Sequence, residues 1–191
     1  MNGLFPQGEA VFSSDGVYRY WLTREPTVSA NHAVIMPITC AFVMLNPSTA
    51  DADHDDNTIR KCKKYTRLWG FHRTVIVNVF GFRSTDPKKM WWAWSQGWKD
   101  HGRIVGPDND HYITKAVQEA RLSGGRVVAA WGSGAGAGKK LERAYFRERC
   151  AAVCKLIGGE LTCLKENNDG TPAHPLYQPD DAEPMRWRGA Q

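Results

Sequence analysis

Apolar residues along this chain come in short runs separated by polar turns marked with glycine or proline, and the period inside each run assigns its element. Residues 10–24 alternate, with Val11-Phe12 and then Tyr18-Arg19-Tyr20-Trp21-Leu22 around Ser13-Ser14-Asp15-Gly16. That pattern predicts a β-hairpin laid as an antiparallel edge on a larger sheet. Residues 38–45 are a continuous apolar run, the mark of a strand covered on both faces, and it stops at Asn46-Pro47. The polar loop that follows offers Asp56 or Asn57 as the cap of a helix over 58–69, ended by Gly70. Another buried strand is predicted over the β-branched stretch 74–79.

Beyond it, residues 87–98 hold four tryptophans, Trp91, Trp92, Trp94 and Trp98. The segment 106–110 leads into a helix ending near Leu122, and Ser123-Gly124-Gly125 turns the chain into a strand over 126–131. A glycine-rich turn, 132–138, opens a basic helix over 139–157, followed by a strand over 160–165, a loop carrying His174, and a polar tail over 178–191. Strands alternating with helices at this spacing predict an α/β fold. The expected architecture is three-layered: a central, mostly parallel four-stranded sheet flanked by helices, with the hairpin 10–24 added at its edge.

A chain of 191 residues suits one domain over 1–191, with its core in 38–177, and buries roughly 70% of the surface of its unfolded form. Lysine and arginine number 25 against 20 aspartates and glutamates, a formal net charge of +5. That excess suits a partner rich in phosphate without requiring one. The five cysteines are odd in number and lack the dense spacing of a disulfide scaffold, so reduced thiols are expected. Cys150 and Cys154 stand at i and i+4 on one predicted helix face and Cys163 in a predicted strand, which fits packing better than metal binding. Residues 1–6 lack the basic start and apolar run of a secretory leader, and no segment reaches the roughly 18 apolar residues of a membrane span. A cytoplasmic protein with no membrane partner is expected, and a monomer is the default.

The chemistry gathers where strands end. Asn46, Asn78 and Ser133 each follow an apolar run of strand type, and His174 sits in a glycine- and proline-containing loop after a shorter one. In an α/β sheet the segments past the carboxyl ends of parallel strands converge on one crevice. One ligand facing all four is the site hypothesis. Judged singly, each has a plainer reading: Asn46-Pro47 as a strand-stopping turn, Asn78 as a strand-end cap, Trp131 as core, His174 as an exposed loop residue. Their joint position favours the site. The turn 132–138 is no Walker motif, since GxxxxGK[ST] is not completed by Lys139-Lys140.

A strand ending in Asn46-Pro47, a second ending in Val77-Asn78 with Phe80 close behind, a third reading Val127-Val128-Ala129-Ala130-Trp131-Gly132-Ser133 before a helix, and a late His174-Pro175 together resemble the uracil-DNA glycosylase superfamily over about residues 38–177. The chain also resembles a group of bacterial and phage proteins described as a domain of unknown function, which carry LNPSTAD, TIR, AWG and HPLY segments. The first resemblance implies that Asn46 positions the attacking water. It implies that Asn78 reads the Watson–Crick edge of an extruded base, with Pro47 and Phe80 beside it, and that His174 donates a hydrogen bond to the departing base. Ser133, Lys139, Lys140 and Arg83 are the expected phosphate or DNA contacts. No cofactor and no metal are implied.

The chain departs from that superfamily in ways that bear on substrate. Asn activates water less than Asp, and Ser48-Thr49-Ala50-Asp51 and His174-Pro175-Leu176-Tyr177 lack the continuations of its most active branch. A modified or damaged base is therefore expected rather than ordinary uracil, on DNA or a nucleotide, in repair or phage defence. The acidic loop with Asp51, Asp53, His54, Asp55 and Asp56 is expected to cap a helix, yet Asp51 or Asp55 is a candidate general base. Trp91, Trp94 and Trp98 at i, i+3 and i+7 suit the buried face of a short helix, leaving Trp92 exposed. Lys88, Lys89 and Lys99 beside an exposed tryptophan also suit single-stranded bases. The leading function is a monofunctional N-glycosylase. A non-catalytic binder of nucleotides or modified bases, and a metal-dependent hydrolase built on 51–56, are the alternatives.

Overall fold

The computed structural model describes residues 8–25, 37–48, 50–51, 54–97 and 101–189. Their strands are β1 (Ala10–Phe12), β2 (Arg19–Arg24), β3 (Thr39–Met44), β4 (Arg73–Asn78), β5 (Arg126–Ala129), β6 (Leu161–Cys163) and β7 (Met185–Trp187). The α-helices are α1 (Asn57–Leu68), α2 (Pro87–Gln96), α3 (Asn109–Leu122) and α4 (Lys140–Ile157). Asp53, Trp98, Lys99 and residues 1–7, on which some expectations above fall, lie outside the described residues.

All seven strands form one sheet in the order β1-β2-β4-β3-β5-β6-β7. Pairing is parallel for β4 with β3, β3 with β5 and β5 with β6. It is antiparallel for β1 with β2, β2 with β4 and β6 with β7. The fold is thus α/β as expected, but the sheet is a mixed seven-stranded one and not a mostly parallel four-stranded one. Two features account for the difference. The hairpin is joined directly to β4 and extends one side, while the tail expected to be irregular supplies β7, which buries Trp187.

The sheet is covered on both faces, and the alternation along each strand divides its side chains between two cores. Ala41, Val43, Val75 and Val77 face one core with Met90, Trp91 and Trp94 of α2, Ile113 and Val117 of α3, and Phe146 and Val153 of α4. Cys40, Phe42, Met44 and Ile76 face the other with Ile59, Cys62 and Tyr65 of α1. Trp91 and Trp94 are buried on α2 as their spacing predicts, and Trp92 is exposed. The five cysteines are free thiols.

Register carries the fold to the site. Met44 stands opposite Asn78 in the parallel β3–β4 pair, and Val43 opposite Ala129 across β3–β5. Strands β3, β4 and β5 therefore end side by side. The antiparallel direction of β2 brings its first residue, Arg19, to that same edge, where its backbone N–H donates to the Gly81 carbonyl at 3.0 Å.

Candidate functional site

A pocket of about 430 Å³ opens at this edge, and Asn46, Asn78, Ser133 and His174 all line it. The four residues picked out at strand ends are brought together.

Asn78 is the buried floor of the group, 1 % exposed. Its main chain is held from several sides: Asn109, at the start of α3, donates from Nδ2 to the Asn78 carbonyl at 2.9 Å, and Arg149 of α4 donates from Nε to the Val79 carbonyl at 3.0 Å. Its side chain is not: neither Nδ2 nor Oδ1 has a hydrogen-bond partner among the described residues. An unmade hydrogen bond on a buried amide costs about 1–3 kcal/mol. A ligand presenting one donor and one acceptor would recover that cost.

Asn46 is half-buried and uses its amide nitrogen as a brace, donating to the carbonyls of Ser84 at 2.9 Å, Pro47 at 3.1 Å and Phe82 at 3.4 Å. These bonds orient the amide. Its Oδ1 accepts none of the described hydrogen bonds, so the plain turn role and a polar role in the pocket coexist in one side chain.

His174 caps a 3₁₀ turn, Pro175–Tyr177, and its Nδ1 accepts the Leu176 N–H at 3.3 Å. An acceptor nitrogen carries no proton, so the neutral ring holds its hydrogen on Nε2. Burial lowers the imidazole pKa below its ordinary value, against the pull of the nearby Asp56 carboxylate. A neutral Nε2–H donor is the resting form.

Beside His174 runs the glycine turn after β5. Gly132, Gly134 and Gly136 have φ of 72°, 79° and 80°, values that favour glycine. An added Cβ on Gly136 would stand 2.9 Å from the Lys88 backbone nitrogen at the start of α2. The turn therefore packs tightly against α2, and Trp91 Nε1 donates to the Ala135 carbonyl at 3.1 Å.

Two charged lining residues had no place in the site expected from sequence, Arg19 and Asp56. Arg19 is 2 % exposed, donates from one terminal nitrogen to the Ala50 carbonyl at 2.6 Å, and among the described residues has no partner for Nε. Burial lowers its pKa to about 10, with Asp56 opposing and Arg83 reinforcing the shift, so it remains a cation at neutral pH. Asp56 accepts the Ile59 N–H at 2.8 Å as the cap of α1 and also takes the Ser48 hydroxyl. The acidic residue lining the pocket is thus the one that also starts a helix. No sequence signal distinguished Asp56 from its neighbours beyond that cap.

The other expected residues lie elsewhere. Phe80 is fully buried in the core and meets Trp91 edge to face at 5.5 Å, because the chain turns inward after β4. Pro47 is buried and offers its carbonyl to Asn46 and to the Ser84 N–H, outside the pocket lining. Asp51 accepts the His54 N–H at 2.9 Å in a local turn and does not line the pocket. Asp55 pairs with Arg24 at 2.6 Å and Lys63 at 2.7 Å. Lys139 and Lys140 are exposed at the start of α4, and Arg83 lines an adjoining groove instead. Among the described residues no three His, Cys, Asp or Glu side chains gather as metal ligands, and no helix is long and apolar enough to cross a membrane.

Over residues 19–176 the chain matches the family model described as Protein of unknown function (DUF1643), and it belongs to that family. No curated protein and no solved structure matches it.

Proposed function

For this member of the family we propose a base-excising N-glycosylase, acting on a nucleobase of DNA or of a nucleotide. The observation that carries the reading is the Asn78 amide, buried with both polar atoms unpartnered at the wall of a pocket that also holds a neutral Nε2–H donor on His174. An amide whose donor and acceptor both lack partners at a pocket wall pairs with the edge of a heterocyclic base better than with any group offering only one of the two.

The reaction is hydrolysis at the sugar C1′. The C1′–N bond breaks with its electron pair leaving on the base, a water oxygen bonds to C1′, and the water gives up one proton. His174 donates its Nε2–H hydrogen bond to the base as that charge develops, an interaction strongest in the transition state. Asn46 Oδ1 orients the water, and Asp56, the acid lining the pocket, accepts its proton. Asp56 takes the role that Asp51 or Asp55 was expected to fill.

A non-catalytic base binder is the second reading. It is favoured by the commitment of the Asn46 amide nitrogen to three loop carbonyls, the pattern of a structural asparagine. Oligonucleotides carrying uracil, hypoxanthine, hydroxymethyluracil or other modified bases, incubated with protein in chelator and then treated with alkali, separate the readings. Strand breaks at the modified base establish the glycosylase. Retention of the oligonucleotide with no breaks leaves the binder.

A further inference from the structure

Arg19 and Arg83 stand on either side of one wall. Arg19 lines the pocket, and Arg83 lines an open groove of about 450 Å³ beside it, with Lys89 as the second basic residue there. Ser48, Ser84 and Thr85 line both spaces, so the two adjoin. Each guanidinium is only partly satisfied. Among the described residues Arg19 makes one hydrogen bond, to the Ala50 carbonyl, and Arg83 makes one, to the Gly16 carbonyl at 3.1 Å, while its guanidinium lies over the Phe12 ring at 4.7 Å. Among the described residues the Nε of each is buried without a hydrogen-bond partner and neither arginine forms an ion pair.

This is an unusual state for a buried cation, Arg19, with a half-buried cation, Arg83, near it. A buried charge without a paired anion is costly, and here the two lie near enough for Arg83 to weaken proton binding at Arg19. Asp56 offsets part of the charge, but its oxygens are engaged by Ser48 and the Ile59 N–H. The fold holds Arg24, the next arginine along β2, in the opposite way, paired with Asp55. The contrast is local, and it falls at the pocket.

We propose that the junction of pocket and groove binds the phosphate of the substrate, with Arg19 and Arg83 as its two guanidinium ligands and the Ser48 and Thr85 hydroxyls beside them. A phosphate offers several acceptor oxygens to donors arriving from different directions, and arginine forks match it. The inference rests on the base-pocket reading for what lies on the pocket side, and it narrows the substrate class to phosphorylated nucleosides, free or within a strand. Free nucleosides and free bases are poor ligands.

Calorimetry in chloride buffer tests it, using inorganic phosphate and a panel of 2′-deoxynucleosides of uracil, hypoxanthine, thymine, cytosine, adenine and guanine, each with and without a 3′- or 5′-phosphate. The expected result is that a phosphate at one of the two positions tightens binding about tenfold or more, a charge-assisted contribution. Arg83→Met and Arg19→Met, long unbranched replacements without the charge, both checked for folding by thermal melting, should each remove most of that gain. Equal binding of nucleotides and nucleosides overturns the proposal, as does a phosphate gain that survives both substitutions. The two readings fail separately. Arginine-dependent binding of inorganic phosphate without discrimination among bases keeps the phosphate site and defeats the base pocket. Base discrimination lost in Asn78→Leu, with no phosphate gain, does the reverse.

Discussion

Asn109 Nδ2 donates to the main-chain carbonyl of Asn78 at 2.9 Å and reaches the Val79 carbonyl at 3.3 Å, so the first residue of α3 holds the end of β4 while the Asn78 side chain is left to the pocket. Asn109 is fully buried. Asn109→Ala removes this donor from the Asn78 carbonyl, while Arg149 Nε still serves the Val79 carbonyl at 3.0 Å, and should cost about 1–3 kcal/mol of unfolding free energy. Urea titration measures it, and a loss below a few tenths of a kcal/mol would show that the brace is not needed.

Asn78 itself should behave in the opposite way. Its amide is desolvated without return, so Asn78→Leu is expected to leave stability unchanged or raise it by about 1 kcal/mol, while base discrimination disappears. A clear drop in melting temperature would mean the amide has partners in solution and that its pocket role is secondary.

His174 sets the pH behaviour. The working form is the neutral ring, and its pKa lies below the ordinary 6.5. Since the folded state binds the proton less readily than the unfolded one, no stability is lost above 6.5, and a penalty grows as pH falls below it. The acid limb of a single-turnover profile should lie below 6.5, and because Asp56 attracts the imidazolium, the His174 titration followed by NMR should move to still lower pH in Asp56→Asn, a variant that lacks the proposed base. A limb at or above 6.5 contradicts the assignment. His174→Ala should slow single turnover about 10²-fold or more.

Asp55 belongs to the scaffold. Burial by itself would raise its carboxyl pKa, but hydrogen bonds and attraction from Lys63 and Arg24 hold it below 3.8. A carboxyl shifted down contributes stability above its ordinary value and loses it as pH falls through the shifted one. Asp55→Asn should cost about 1–3 kcal/mol at neutral pH, with the difference from wild type shrinking as pH falls below 3.8. A difference that persists unchanged at pH 2 would place the effect in packing.

Lys139 and Lys140 are exposed at the head of α4, outside the pocket lining. Reversing both charges should weaken oligonucleotide binding about equally for every sequence and flatten its salt dependence by about two counterions, while leaving mononucleotide binding unaltered. Gel-shift titrations at several salt concentrations measure the slope. A sequence-selective loss would point to base contacts from α4.

The polar residues at the strand ends were legible for a physical reason. An apolar run that ends in Asn-Pro or Asn must release its chain at a sheet edge, and parallel strands release theirs at the same edge, so Asn46, Asn78, Ser133 and His174 could be grouped without knowing a distance. Arg19 was not legible. It sits in a hairpin whose alternation reveals a strand but not the strand it will join, and pairing with β4 is what carries it into the pocket. Asp56 was hidden by having an adequate explanation already, as a helix cap. Phe80 erred in the other direction: two residues past Asn78 along the chain it is already turned into the core, since local distance does not predict on which side a turn delivers a ring. The short β7 was masked by polar neighbours, with Trp187 as its one strong apolar residue.

Trp187 meets Trp131 edge to face at 5.1 Å, and its Nε1 donates to the Gly170 carbonyl at 3.0 Å, within the loop that leads to His174. The last strand thus props two arms of the pocket from behind. A fragment trimmed to residues 38–177 would look complete by its four strand-end residues. It would nonetheless lose the guanidinium of Arg19 at one end and the indole buttress at the other. Such a truncation would test as inactive for reasons of architecture, and its silence would say nothing about the chemistry of the residues it kept.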